Sequence, residues 1–145
     1  MFHYTVDDKK GEVKTTKHII LRDTPYHYLI NSTGQVAEGR ELRFAAYSNT
    51  QYLTPIGKHI TVVLEGDFDK VKPTNNQIQS LVLLLTELAK VHDIRLKNIG
   101  YHRDVVKKEV RKDGSVKYGT DCPEKNLIDI FDQEVKQKLA GNGVR

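Results

Sequence analysis

The sequence predicts a single α/β domain built on a central, mixed and mostly buried β-sheet flanked by helices. Three observations predict it. Strand-like and helix-like hydrophobic periods alternate along the chain with no repeat, linker or low-complexity segment. The run from Ile60 to Leu64 is almost continuously apolar and β-branched, as a strand covered on both faces requires. Two later segments carry apolar residues at helical spacing behind N-terminal start signals. At 145 residues the chain has the size of one core, so residues 1–145 read as one domain.

The elements follow in order. Between Lys17 and Glu38, Tyr26, Tyr28 and Ile30 alternate with His27 and Leu29, and the Asn31-Ser32-Thr33-Gly34 turn precedes Gln35-Val36-Ala37, so the segment reads as a hairpin. Ile60 to Leu64 reads as the central strand, ended by Gly66. Thr74 stands three residues before Gln77, and Ile78, Leu81, Val82, Leu85, Leu88 and Val91 follow at helical spacing. That is a capping box and an amphipathic helix from about Asn75 to His92. Residues 93–105 read as a short strand ending at Gly100, and Lys112-Asp113-Gly114-Ser115 reads as the turn of a protruding hairpin. Behind Pro123, the residues Leu127, Ile130, Phe131, Val135 and Leu139 mark a second helix from Glu124 to Leu139, with a frayed tail after Ala140.

Composition bounds the function. No stretch approaches the ~20 apolar residues of a membrane span, and the N-terminus has neither the basic start nor the apolar core of a secretory signal. The formal charge of +4 and pI near 9.1 favour anionic partners. The one local cluster, Lys107-Lys108 with Arg111-Lys112, lacks interleaved aromatics and reads as a solvated hairpin rather than a nucleic-acid patch. The single cysteine excludes an internal disulfide and leaves a packed thiol, a nucleophile or a metal ligand.

Cys122 lies in Thr120-Asp121-Cys122-Pro123, directly before a helix whose N-terminus is expected to lower the thiol pKa and favour a thiolate. His102, in Gly100-Tyr101-His102-Arg103-Asp104-Val105, is expected at the C-terminal end of a strand, where open α/β sheets place ligand sites. A thiolate and an imidazole suit zinc, and a catalytic zinc takes three protein ligands, so a third has to come from elsewhere in the chain. Taken singly, each residue reads more readily as packing or surface than as a ligand.

The order of segments is more specific. Phe2-His3-Tyr4-Thr5, Tyr26-His27-Tyr28-Leu29-Ile30 running to Glu38-Gly39-Arg40, Gly66-Asp67-Phe68, the Pro73-Thr74-capped helix, His102-Arg103-Asp104-Val105 and Thr120-Asp121-Cys122-Pro123 come in one sequence. Over nearly the whole chain this resembles the zinc amidases that include the peptidoglycan recognition proteins and the amidase endolysins of bacteriophages. The resemblance implies that fold and one zinc ion on His3, His102 and Cys122. It also implies hydrolysis of the amide between N-acetylmuramic acid and L-alanine in bacterial peptidoglycan, with the hydroxyls of Tyr26 and Thr120 at the developing oxyanion. Arg40, Tyr47 and Glu65 are the expected substrate-side residues. Tyr47 stands where relatives carry a histidine, Glu65 lies two residues beyond a position where they carry a glutamate, and Glu124 replaces the glycine common after Cys-Pro. The hairpin between His102 and Cys122 is expected to shape substrate choice.

The implied partner is peptidoglycan or a muropeptide, with no nucleic acid, no membrane insertion and a monomer as the default. Lacking a signal, the protein is expected to be made in the cytoplasm and to act on the wall after release or permeabilisation. The rival reading is a peptidoglycan-binding module with the same fold and no hydrolysis. A structural zinc is disfavoured by the lack of a fourth ligand.

Overall fold

A computed structural model of the chain describes residues 3–6, 13–16, 24–46, 59–105 and 108–145, with the backbone alone at 3–6 and 13–16. The expected hairpin is present: β3 (Tyr28–Ile30) pairs antiparallel with β4 (Val36–Glu38), Ile30 opposite Val36. Its turn is closed by the Asn31 side chain, whose carbonyl accepts the N–H groups of Thr33 at 3.1 Å and Gln35 at 2.8 Å. Gly34 occupies the left-handed region at φ 84°, and a Cβ there would stand 2.8 Å from the Asn76 carbonyl oxygen.

β5 (Val62–Leu64) adds in parallel to the other side of β3, giving the order β4-β3-β5. The Ile60–Leu64 run is therefore not the central strand of the described sheet. β3 has neighbours on both sides, and its Tyr28 and Ile30 are buried, whereas Val62, Val63 and Leu64 stay half-buried. A pair unforeseen in the sequence, β1 (His3–Val6) and β2 (Val13–Thr16), runs antiparallel with His3 opposite Thr16; β1 lies against the long helix and beside β4.

That helix, α1 (Asn75–Val91), starts with the predicted capping box. Thr74 Oγ1 accepts the Gln77 N–H at 3.1 Å, and Gln77 Oε1 accepts the Thr74 N–H at 3.1 Å. Gln77 is buried, and its Nε2 donates to the Glu65 carbonyl at 2.8 Å, tying the helix start to the end of β5. One turn on, Ser80 Oγ donates to the Gly34 carbonyl at 2.6 Å. Ile78, Leu81, Val82, Leu84, Leu88 and Ala89 form the buried face, packed with Tyr28, Ile30, Val36 and Phe68.

The strand expected over residues 93–105 does not form. Asp93 turns the chain at φ 52°, and the segment bonds to itself in two 3-10 turns, Leu96–Asn98 and His102–Val105. The Ile99 N–H reaches Leu96 O at 3.0 Å and the Asp104 N–H reaches Tyr101 O at 2.9 Å, so these groups are not offered to a neighbouring strand. The protruding hairpin forms as expected, β6 (Lys108–Val110) against β7 (Val116–Tyr118), exposed along most of its length.

The second helix starts at Lys125 and is not uniform. α2 (Lys125–Ile130) opens into a wide π turn over Phe131–Val135 before α3 (Lys136–Gly141). Leu127, Phe131, Val135 and Leu139 recur every four residues and are all buried. On an ideal helix, at ~100° per residue, Leu139 would stand about 120° round from Leu127. The π turn takes up that drift. The tail is not frayed: Val144 is buried in the core, its N–H bonded to Leu139 O at 3.0 Å, and the Arg145 carbonyl accepts the Leu96 N–H at 2.6 Å.

Candidate metal and catalytic site

The segments holding His102 and Cys122 meet through the backbone: the Arg103 N–H donates to the Cys122 carbonyl at 2.9 Å. His102 opens the second 3-10 turn rather than ending a strand. Its turn is anchored by the preceding residue. Tyr101 packs edge-on against Phe131 with centroids 5.7 Å apart, and its hydroxyl donates to Asp132 at 3.2 Å. His102 Nε2 is buried and has no hydrogen-bond partner among the described residues. Buried polar atoms are rarely left so, and an imidazole nitrogen in that state suits coordination.

Cys122 carries a free thiol. Its N–H donates to Thr120 Oγ1 at 3.2 Å, which places the threonine hydroxyl beside the cysteine backbone. The thiol pKa is raised, against the lowering expected from a helix N-terminus. Although the residue as a whole is exposed, enclosure of the thiol is the main cause, and the Glu124 carboxylate adds to it. The helix begins only at Lys125, and Glu124 at its cap brings a negative charge instead. Glu124 also stands at φ 71°, a conformation at home in glycine.

His3 is the first residue of β1, and its side chain lies outside the described residues, as do His18 and Tyr47. Among the described residues no group of three or more His, Cys, Asp or Glu side chains is arranged to hold a metal. His102 and Cys122 are two of the three ligands that the resemblance implies, and the backbone bond from Arg103 to Cys122 brings their segments together.

Tyr26 is half-buried just before β3, and its carbonyl accepts the Arg40 N–H at 2.8 Å. Gly39 makes this crossing possible, because a Cβ there would collide with the Thr24 side chain and the Tyr26 carbonyl. The Arg40 guanidinium lies 5.9 Å from the centre of the Phe44 ring. The Glu65 carboxylate accepts the Ser32 N–H at 3.0 Å, bracing the β3–β4 turn.

His27 is buried and its ring is tied into the fold. Its Nδ1 accepts the Thr61 N–H at 3.0 Å, so the proton sits on Nε2, which donates to the Phe44 carbonyl at 2.9 Å. Burial lowers its pKa, the Phe44 carbonyl opposing and the positive charges of His59 and Arg40 adding to the fall. His92 caps the C-terminus of α1 in an exposed position. Sequence reasoning passed over Arg103 and Tyr118, although an arginine directly after the site histidine and a tyrosine leaving the hairpin toward the cysteine were visible signals.

Over residues 1–125 the chain matches the family described as N-acetylmuramoyl-L-alanine amidase. It belongs to that family. The span matched to the amidase family takes in His3, Tyr26, His102, Thr120 and Cys122. Two solved structures share the fold. N-acetylmuramoyl-L-alanine amidase LysC from Clostridium intestinale URNW is 22% identical with a TM-score of 0.58, over 84% of this chain and 83% of that one. The endolysin N-acetylmuramoyl-L-alanine amidase LysCS from the same organism is 24% identical with a TM-score of 0.54, over 75% of this chain. The match spans 62% of the length of LysCS. None of the curated proteins matches this amidase-family chain.

Proposed function

We propose that this chain hydrolyses the amide between N-acetylmuramic acid and L-alanine in bacterial peptidoglycan, using one zinc ion held by His3, His102 and Cys122. The observation that carries the reading is the buried His102 Nε2, unpartnered among the described residues, on a turn bonded to the Cys122 loop, within a chain of the amidase family. Zinc in such a site supplies a Lewis acid and a water acidified toward neutral pH. The chain's own residues do the rest. Thr120 Oγ1 accepts from the Cys122 N–H, which leaves its hydroxyl proton to donate to the carbonyl oxygen of the scissile amide. The Tyr26 phenol is the second donor. Ligation of zinc by Cys122 requires the thiol to lose its proton, so zinc uptake should weaken as the pH falls.

Zinc content and hydrolysis of purified peptidoglycan, measured on one preparation, test the reading against Cys122→Ser and His102→Ala. The expected result is about one zinc per chain and release of free L-alanine amino groups, both lost in the variants. Zinc without cleavage makes the chain a wall-binding module instead, and unchanged zinc in both variants removes His102 and Cys122 from the site.

A further inference from the structure

The hairpin between His102 and Cys122 is fastened to the candidate site by one side chain. The Arg103 guanidinium lies 4.6 Å from the centre of the Tyr118 ring, on the exit strand of the hairpin, and 5.8 Å from that of Tyr101. Tyr118 stands opposite Lys108, whose Nζ is 5.2 Å from the same ring centre. Tyr118 is two residues before Thr120 and four before Cys122, so fixing its ring fixes the start of the loop that carries both. The Arg103 backbone meanwhile bonds the far side of that loop through the Cys122 carbonyl. Among the described residues its buried Nε has no hydrogen-bond partner, and the group is held by stacking on Tyr118 together with a side-chain hydrogen bond to Tyr101. Tyr101 passes the constraint to the core through Phe131 and Asp132.

We propose that Arg103 is a positioning residue: clamped between Tyr101 and Tyr118, it sets the spacing of the His102 turn and the Cys122 loop and couples the hairpin to the site. The proposal rests on the metal reading above only for its consequence on zinc. Groups that orient metal ligands from behind typically change metal affinity 10–100-fold when removed.

The test compares wild type, Arg103→Ala, Tyr118→Leu and Tyr118→Phe by zinc titration against a chromogenic chelator. Circular dichroism melts accompany it, as does the alkylation rate of Cys122, the sole cysteine, in the metal-free proteins. Arg103→Ala and Tyr118→Leu are each expected to weaken zinc about 10–100-fold and to speed alkylation, while Tyr118→Phe, which keeps the ring, matches wild type. Tyr118 sits on the protruding hairpin and outside the buried core, so Tyr118→Leu keeps the comparison open if Arg103→Ala fails to fold. Unchanged alkylation in the variants that fold overturns the proposal whatever the zinc result. If wild type itself takes up no zinc, the metal reading falls, and alkylation alone decides the role of Arg103.

Discussion

Replacing Gln77 with alanine should cost more than removing the helix cap it belongs to. Its buried amide makes two side-chain bonds, Nε2 to the Glu65 carbonyl at 2.8 Å and Oε1 from the Thr74 N–H at 3.1 Å. Truncation orphans both backbone groups. Thr74 and Glu65 are exposed enough for water to reach them, so each loss falls near the low end of the range, about 1 kcal/mol. The lost methylene adds about 0.8 kcal/mol, for a total of about 3 kcal/mol. Thr74→Ala loses the cap itself and should cost about 1 kcal/mol. Urea denaturation of the two single variants and the double variant measures both values and their coupling. In a thermal melt the Gln77→Ala change corresponds to a drop on the order of 10 °C for a domain of this size. If Gln77→Ala costs no more than Thr74→Ala, the knot between α1 and β5 contributes nothing beyond the cap, and the reasoning fails.

Other predictions concern the site and its surroundings. Stability should be full above pH 6.5, the ordinary histidine value, and fall below it, because the unfolded chain takes up a proton that folded His27, with its depressed pKa, refuses. His27→Gln should flatten this slope in denaturation curves across pH 5 to 8, and an unchanged slope would refute the assignment. Glu124→Gly should leave stability unchanged or raise it by about 1 kcal/mol, since relief at φ 71° offsets the added freedom of the unfolded chain; a clear loss in the melt contradicts the strain reading. Gly39→Ala should displace the Tyr26 backbone and cut peptidoglycan hydrolysis about 10-fold or more while the fold persists by circular dichroism. Wild-type rates in that variant would remove Tyr26 from the reaction.

Much of the fold was legible because its signals are local. The Thr74/Gln77 box, the Asn31–Gly34 turn and the Asp113-Gly114 hairpin each depend on residues a few positions apart. What escaped depends on distant partners. Nothing near Ile60 says that in the described sheet β3 rather than β5 is flanked on both sides, and nothing in residues 93–105 announces that Leu96 will bond to Arg145 instead of a strand. The helix N-terminus effect on Cys122 was misjudged because the helix starts only at Lys125 and the Glu124 carboxylate, at its cap, adds negative charge near the thiol. Of the candidate site, residue types and order were visible, while the contact of Arg103 with Tyr118 appears only once the hairpin folds back.

The anchoring of the last two residues has a practical side. With Val144 inside the core and the Arg145 carbonyl bonded to Leu96, a purification tag or a second module joined at this end leaves directly from the wall of the domain beside the 3-10 turn at Leu96–Asn98. Its first residues inherit a fixed direction rather than swinging on a tether, so the length and stiffness of an added spacer, more than its mere presence, will govern how freely a cargo there can turn.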